Sequence, residues 1–286
     1  MPETEPAQGR RRFGIGRGPA VRWRGARPEK LGDPGPLLNV RALSKSFGGV
    51  RAVHEVTFAV ERGESVGLVG PNGAGKTTLF NCVTGNVRPE SGSVEFDGRR
   101  LNGVPAYRRA RLGIARTFQR IEVFPELSVR DHLLVAERAR RGDGRLWKDL
   151  CNISSPSPEE RDRVDEVLDL VDIAREADTP VAALGLGMCR LVELARALVS
   201  DPQLLMADEP SSGLDVSETA ELAKVLRSVQ RDRGMAVLLV EHDLSMVREV
   251  VDRAVVMDLG AVISEGSFDE VMADPVVRQA YLGMSA

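Results

Sequence analysis

The sequence predicts an α/β fold in which a mostly parallel sheet is preceded by a β-rich opening and interrupted by a run of helices. Three observations carry that expectation. Short apolar runs such as Ser65–Val69 and residues 204–207 stop at glycine or at an acid, the pattern of strands buried on both faces. In the last third these runs alternate with helical stripes, and such alternation builds a parallel sheet covered on both sides. Between the two, residues 127–183 carry mostly helical signals.

Residues 1–36 are rich in Gly, Pro and Arg, including Arg10, Arg11, Arg12, Arg17, Arg22, Arg24 and Arg27, and show no apolar period. They read as a disordered basic extension, solvated rather than partner-bound, without the apolar stretch of a secretory signal. Residues 37–286 form the folded unit, with a helical subdomain at about residues 127–200 inserted in its core. The opening places strands at residues 37–43, 56–60, Ser65–Val69 and 93–96, a helix over residues 77–84, and a turn at Asp97-Gly98. Residues 140–158 are polar, broken by Gly, Ser and Pro, and read as a mobile insertion. Ser157-Pro158-Glu159-Glu160 is a capping box with proline at the first helical position, followed by Val164, Val167, Leu168 and Val171 at helical spacing. Leu191, Leu194, Ala195 and Leu198 mark another helix. Strands at 204–207, Ala236–Val240 and 254–257 then alternate with helices at 218–231 and 244–251. No internal repeat is visible.

Composition excludes several classes. A formal net charge of −3 makes no electrostatic case for nucleic acid. Cys82, Cys151 and Cys189 lie far apart without metal-ligand spacing, as ordinary thiols of a reducing compartment do. No apolar run approaches the roughly 18 residues of a membrane span, so any membrane role is that of a peripheral partner.

Gly70-Pro71-Asn72-Gly73-Ala74-Gly75-Lys76-Thr77 matches the phosphate-loop pattern G-x-x-x-x-G-K-[ST] in full, after a strand and before a helix. Its glycines let the backbone wrap closely and aim N–H groups at phosphates, and the helix N-terminus adds positive potential. Lys76 is placed to reach the β- and γ-phosphates, and the Thr77 hydroxyl to ligate Mg²⁺. Asp208 ends a buried strand, where an acid must be neutralised or meet a cation, and beside a complete phosphate loop it suits the Mg²⁺ shell. Glu209, next in sequence, points differently and can orient and polarise a water.

An Asn-Lys-x-Asp guanine reader is absent from the sequence. Five further segments, in order over residues 37–283, resemble the ATP-binding subunits of ABC transporters. Thr117-Phe118-Gln119 resembles that family's Q-loop, residues 184–191 stand at its signature, and Ser212-Gly213-Leu214-Asp215 resembles its D-loop. Glu241-His242-Asp243 resembles its switch-histidine segment. Phe47 stands where the family puts a ring on adenine, and a buried core ring is an equal alternative. The resemblance implies a P-loop NTPase core with a mostly parallel sheet, an N-terminal antiparallel β subdomain and an inserted helical subdomain. ATP would be held by Phe47, the loop residues Gly70, Pro71, Asn72, Gly73, Ala74, Gly75, Lys76 and Thr77, and by Thr78. Mg²⁺ would be held by Thr77, Gln119 and Asp208. Glu209, His242 and Gln119 would act on the γ-phosphate and its attacking water. Gly185, Gly187 and Asp215 would lie at a head-to-tail dimer interface.

The family signature reads Leu-Ser-Gly-Gly-Gln, whereas this chain has Leu184-Gly185-Leu186-Gly187-Met188. A hydroxyl is lost at Gly185 and bulk is added at Leu186, so a donor to the partner's ATP is missing. One aligned donor to transition-state charge is worth about 2–4 kcal/mol. Residues 113–119, 124–129 and 274–283 resemble the subgroup serving branched-chain amino acids and related polar solutes, and the polar insertion resembles the longer of its two ATPases. That subgroup implies a motor subunit on the cytoplasmic face of the inner membrane, with a second ATPase (a heterodimer, a homodimer being the alternative), two permeases and a solute-binding protein. The alternatives are a soluble non-transport ABC ATPase and a regulatory ATP-binding subunit with weak turnover.

Overall fold

Five-residue apolar runs build the centre of the fold. The computed structural model describes residues 35–117, 124–141 and 156–282. Its larger sheet is ordered β10-β9-β3-β8-β7-β6, where β3 is Ser65–Val69, β6 Ile114–Arg116, β7 Leu204–Asp208, β8 Ala236–Val240, β9 Arg253–Asp258 and β10 Ala261–Gly266. All neighbours in it are parallel except β9 and β10, which form a hairpin. Every residue of β3, β7 and β8 is buried. Their side chains divide by pleat. Val66, Leu68, Leu204, Met206, Leu238 and Val240 enter one core cluster, and Val69, Leu205, Ala207, Val237 and Leu239 enter the other. Burial of each such side chain contributes roughly 1.5–3 kcal/mol, which is why the runs read as continuous rather than alternating.

The first cluster is closed by α1 (Lys76–Thr84) and by an antiparallel sheet ordered β2-β1-β4-β5, with β1 Leu38–Phe47, β2 Val50–Val60, β4 Ser91–Phe96 and β5 Arg99–Arg100. The β1–β2 hairpin is longer than the sequence predicts, because its outer residues are polar or exposed and carry no apolar signal. The two-residue β5, the short α2 (Ala106–Arg111), β6 and β10 also escaped sequence reading. Arg109 of α2 shows what these short pieces do. Its buried guanidinium donates to the carbonyls of Cys82, Val83, Leu101 and Val104, satisfying the C-terminal end of α1.

The second cluster is closed by α3 (Val129–Arg141), α4 (Pro158–Leu170), α5 (Leu186–Leu198), α6 (Val216–Arg233) and α7 (Leu244–Val250). The Ser157 capping box opens α4 as expected: Ser157 Oγ accepts from Glu160 N–H at 3.3 Å, and Glu160 Oε2 accepts from Ser157 N–H at 2.8 Å. α6 starts two residues before the predicted 218, because Asp215 and Glu218 form a second capping box. The described residues end in α8 (Phe268–Ala273) and α9 (Pro275–Leu282). Among the described residues no helix is long and apolar enough to cross a membrane.

Candidate nucleotide site

Register places the site. In neighbouring strands Leu68 pairs with Val240, and Val240 with Asp208, so β3, β8 and β7 end level with one another. The loop after β3, the Asp208-Glu209 pair and the Glu241-His242 pair are therefore brought together although they are far apart in sequence. Ligands of open parallel sheets bind outside such carboxyl ends.

The loop can only be glycine at two places. A Cβ on Gly70 would stand 2.1 Å from the Met257 carbonyl oxygen, and one on Gly75 would stand 2.0 Å from that of Ala52; both residues have positive φ. Gly75 is the N-cap of α1 and supplies no side-chain cap, so the opening N–H groups of the helix are left to an outside acceptor. Lys76 is buried, and its Nζ donates to the carbonyls of Gly70 at 2.6 Å and Pro71 at 2.9 Å, which holds the ammonium at the loop. Burial pulls its pKa down, and the Glu209 charge opposes the fall. Thr77, Asn72 and Gly73 are exposed, and Thr78 is half-buried. From the far end of the chain, Tyr281 of α9 is half-buried; burial pushes its hydroxyl pKa up, and the nearby Gly70 backbone opposes the rise.

Asp208 is 5% exposed and pairs with Arg116 at 3.0 Å. Burial pushes its carboxyl up, Arg116 opposes that, and the charges of Glu209 and Glu241 add to the rise. Arg116 is fixed in turn by Asn81 Oδ1 at 2.9 Å and by the Phe80 ring, 4.8 Å from guanidinium carbon to centroid. The Thr117 hydroxyl accepts from Asp208 N–H at 3.3 Å. Glu209 has φ 47°, a left-handed conformation rare outside glycine and typical of functional turns. Its Oε1 lies 2.8 Å from His242 Nε2, and the imidazole is the more exposed of the two side chains.

These donors fit a nucleotide with Mg²⁺. The Thr77 hydroxyl and the Asp208 carboxylate are hard oxygen ligands, suited to a cation that keeps waters and shares phosphate oxygens. Among the described residues there is no group of three or more His, Cys, Asp or Glu that could hold a metal ion. Gln119, the expected third ligand, lies outside the described residues, as does most of the insertion at 140–158.

The expected dimer-facing edge is built differently. Gly185 is the N-cap of α5 without a side-chain bond. Leu186 is 40% exposed, and its Cδ2 is 3.0 Å from where a Cβ on Gly213 would stand, so the extra bulk leans on this chain's own D-loop segment. A Cβ on Gly187 would meet Glu218 Oε1 at 2.9 Å. Asp215 caps α6, accepting from Ser217 and Glu218 N–H groups at 2.8 and 2.9 Å. Phe47 is 50% exposed, with Lys45 Nζ 5.0 Å above its ring, which rules out the buried-core alternative and leaves a face open to stacking.

Sequence reasoning missed Arg116, Asn81, Thr117 and Glu241 as working parts. Arg116, Thr117 and Glu241 sit inside segments already singled out, so their signal was position next to a motif residue; Asn81 carried none.

The family model described as "ABC transporter" matches residues 53–212, and one described as "Branched-chain amino acid ATP-binding cassette transporter" matches residues 261–283. The high-affinity branched-chain amino acid transport ATP-binding protein LivG of Salmonella typhimurium is 37% identical over 251 residues, covering 87% of this chain and 98% of that protein. BraF of Pseudomonas aeruginosa, described in the same terms, is 36% identical with the same coverage. Among solved structures, an ATP-binding cassette of an ABC transporter in its ADP conformation matches with a TM-score of 0.77 and 28% identity, over 87% of this chain and 99% of that one.

Proposed function

This chain belongs to the ABC transporter family as an ATP-hydrolysing subunit, and from that premise we propose that it drives uptake of branched-chain amino acids by an importer. The observation that carries the reading is the convergence of Lys76, Asp208 and the Glu209–His242 pair at the level ends of three adjacent strands. The match over residues 261–283, together with LivG and BraF as relatives, supports the choice of solute.

The loop N–H groups and Lys76 hold the phosphates of ATP, and Phe47 stacks on its base. Thr77 and Asp208 with Gln119 would hold Mg²⁺, which would supply charge neutralisation to the phosphates. Glu209, turned by its positive φ, accepts a hydrogen bond from the attacking water and polarises it. His242 bridges Glu209 and the γ-phosphate and fixes the orientation of both. Gly185, Gly187 and Asp215 face the ATP of a second, different ATPase subunit. Two permeases and a solute-binding protein complete the assembly, with this chain peripheral on the cytoplasmic face.

The test is reconstitution with the permeases, binding protein and second ATPase in sealed vesicles. ATP-dependent accumulation of labelled leucine, isoleucine or valine is the expected result. Accumulation of an amide or urea with none of these amino acids would overturn the solute assignment. The altered signature adds asymmetry: Glu209→Gln here should cost more turnover than the same change in the partner, and equal losses would refute it.

A further inference from the structure

We infer that Glu241 is a positioning residue for hydrolysis: its buried carboxylate clamps the Glu209 turn to the His242 turn and so sets the spacing of the pair. The inference rests on the ATPase reading of that pair. Glu241 is 3% exposed at the exit of β8. Its two oxygens serve two different turns. Oε1 accepts from Ser211 N–H at 2.8 Å, and Oε2 accepts from His242 N–H at 2.8 Å and Asp243 N–H at 3.2 Å. Ser211 is two residues beyond Glu209, in the turn that leaves β7.

That turn needs holding. Glu209 sits at φ 47°, and such a conformation persists only where its surroundings over-determine it. On one side, Glu209 N–H donates to the Val240 carbonyl at 2.8 Å; on the other, Ser211 N–H donates to Glu241. The Glu209 backbone is thus referenced on both flanks to residues 240 and 241. His242 is referenced to the same carboxylate through its own N–H, and Asp243 begins α7 from there, capping it through Ser245 and Met246 N–H groups. One side chain therefore fixes both members of the 2.8 Å Glu209–His242 contact.

The chemistry calls for an acid. Three N–H donors converge, and an ionised carboxylate is the acceptor-only group that satisfies them all. An amide of the same shape would turn an NH₂ toward at least one of them. The acid also has a disadvantage, since its charge bears unfavourably on Asp208. A carboxylate kept beside two others, buried and fully used by backbone donors of two catalytic turns, is placed for geometry rather than for charge at the phosphate.

Two variants test this in the full chain. Glu241→Gln keeps the shape and loses the acceptor. Glu241→Asp keeps the charge but withdraws the oxygens by about 1.5 Å, one carbon–carbon bond. The variant whose melting temperature lies nearer wild type is used. Amide exchange should rise about tenfold at Ser211, His242 and Asp243 together, while the loop at Gly70–Thr77 is unchanged. In complex with the partner ATPase, kcat should fall about 10- to 100-fold with KM for ATP within about twofold. Combining the change with Glu209→Gln should add no further loss, because the clamp acts through that residue. Unchanged exchange at these amides overturns the clamp, as does a loss of kcat matched by KM. If the wild-type chain hydrolyses no ATP, the functional reading fails, and the exchange measurement still decides whether the clamp exists.

Discussion

The two edges that this chain is expected to present to nucleotide differ in how firmly they are held. At the phosphate-loop edge, Lys76, Asp208, Glu209 and His242 each have named partners, and Lys76 and Asp208 are buried. At the signature edge, Gly185 caps α5 without a side-chain bond and Leu186 is 40% exposed. Asp215 and Glu218 are occupied with starting α6. The difference teaches that this subunit invests its preorganisation in its own ATP. What it offers a partner is a helix N-terminus with little side-chain chemistry.

The largest expected effect breaks the firm edge outright. Glu209→Gln should lower turnover about 10²- to 10⁴-fold, the range of a lost general base, while equilibrium ATP binding persists. Single-turnover hydrolysis against filter binding separates the two. A variant that still turns over within a few-fold would move the base elsewhere.

Next comes the support behind Asp208. Arg116→Leu leaves a buried carboxylate without its counter-charge and should cost about 3 kcal/mol of stability, the low end for a broken buried pair because the arginine is partly solvated. Urea denaturation reads this directly. A loss under about 1 kcal/mol would mean that the pair is screened like a surface bridge.

A smaller change sharpens the weak edge. A Cβ on Gly185 meets nothing within 4 Å and its φ is −70°, so Gly185→Ser is accommodated without strain. It should stabilise the chain by only a few tenths of a kcal/mol, since glycine is itself a fair N-cap. In a heteromeric complex in which this chain's own phosphate-loop site is silenced by Glu209→Gln, it should raise the remaining turnover about three- to tenfold, a part of the roughly 2–4 kcal/mol of a fully aligned donor because the bulk at Leu186 remains. No rise would show that the partner's ATP does without a side-chain donor at this position.

The smallest effect is a ranking. Cys82 lies fully buried in α1 behind the phosphate loop, and burial pushes its thiol up to about 11. At pH 8 roughly one molecule in a thousand would carry the reactive thiolate there. Cys189 lies in the signature helix, with slight exposure and a thiol also pushed up by burial. Alkylation mapped by peptide should reach Cys189 before Cys82, and the reverse order would contradict the ranking of the two edges.

Much of the fold was legible because its signals are local. The five-residue strands, the Ser157 capping box and the loop from Gly70 to Thr77 each need only a short stretch of chain to be recognised. What escaped was short or polar: β5, β6 and the exposed end of the β1–β2 hairpin owe their strand geometry to neighbours rather than to composition. The site divided likewise. Asp208, Glu209 and His242 were found one motif at a time, and Phe47 was left between two environments that only its 50% exposure distinguished.

The sequence by itself therefore determined the parts and their chemistry: a loop shaped for phosphate, an acid pair at a strand end, a histidine after a strand, and a signature lacking its hydroxyl. Tertiary structure alone decided which parts meet. Arg116 and Asp208 are 92 residues apart, Glu209 and His242 are 33, and Glu241 and Ser211 are 30. Those pairings follow from the order and register of parallel strands, which hydrophobic burial on both faces selects and no local motif encodes.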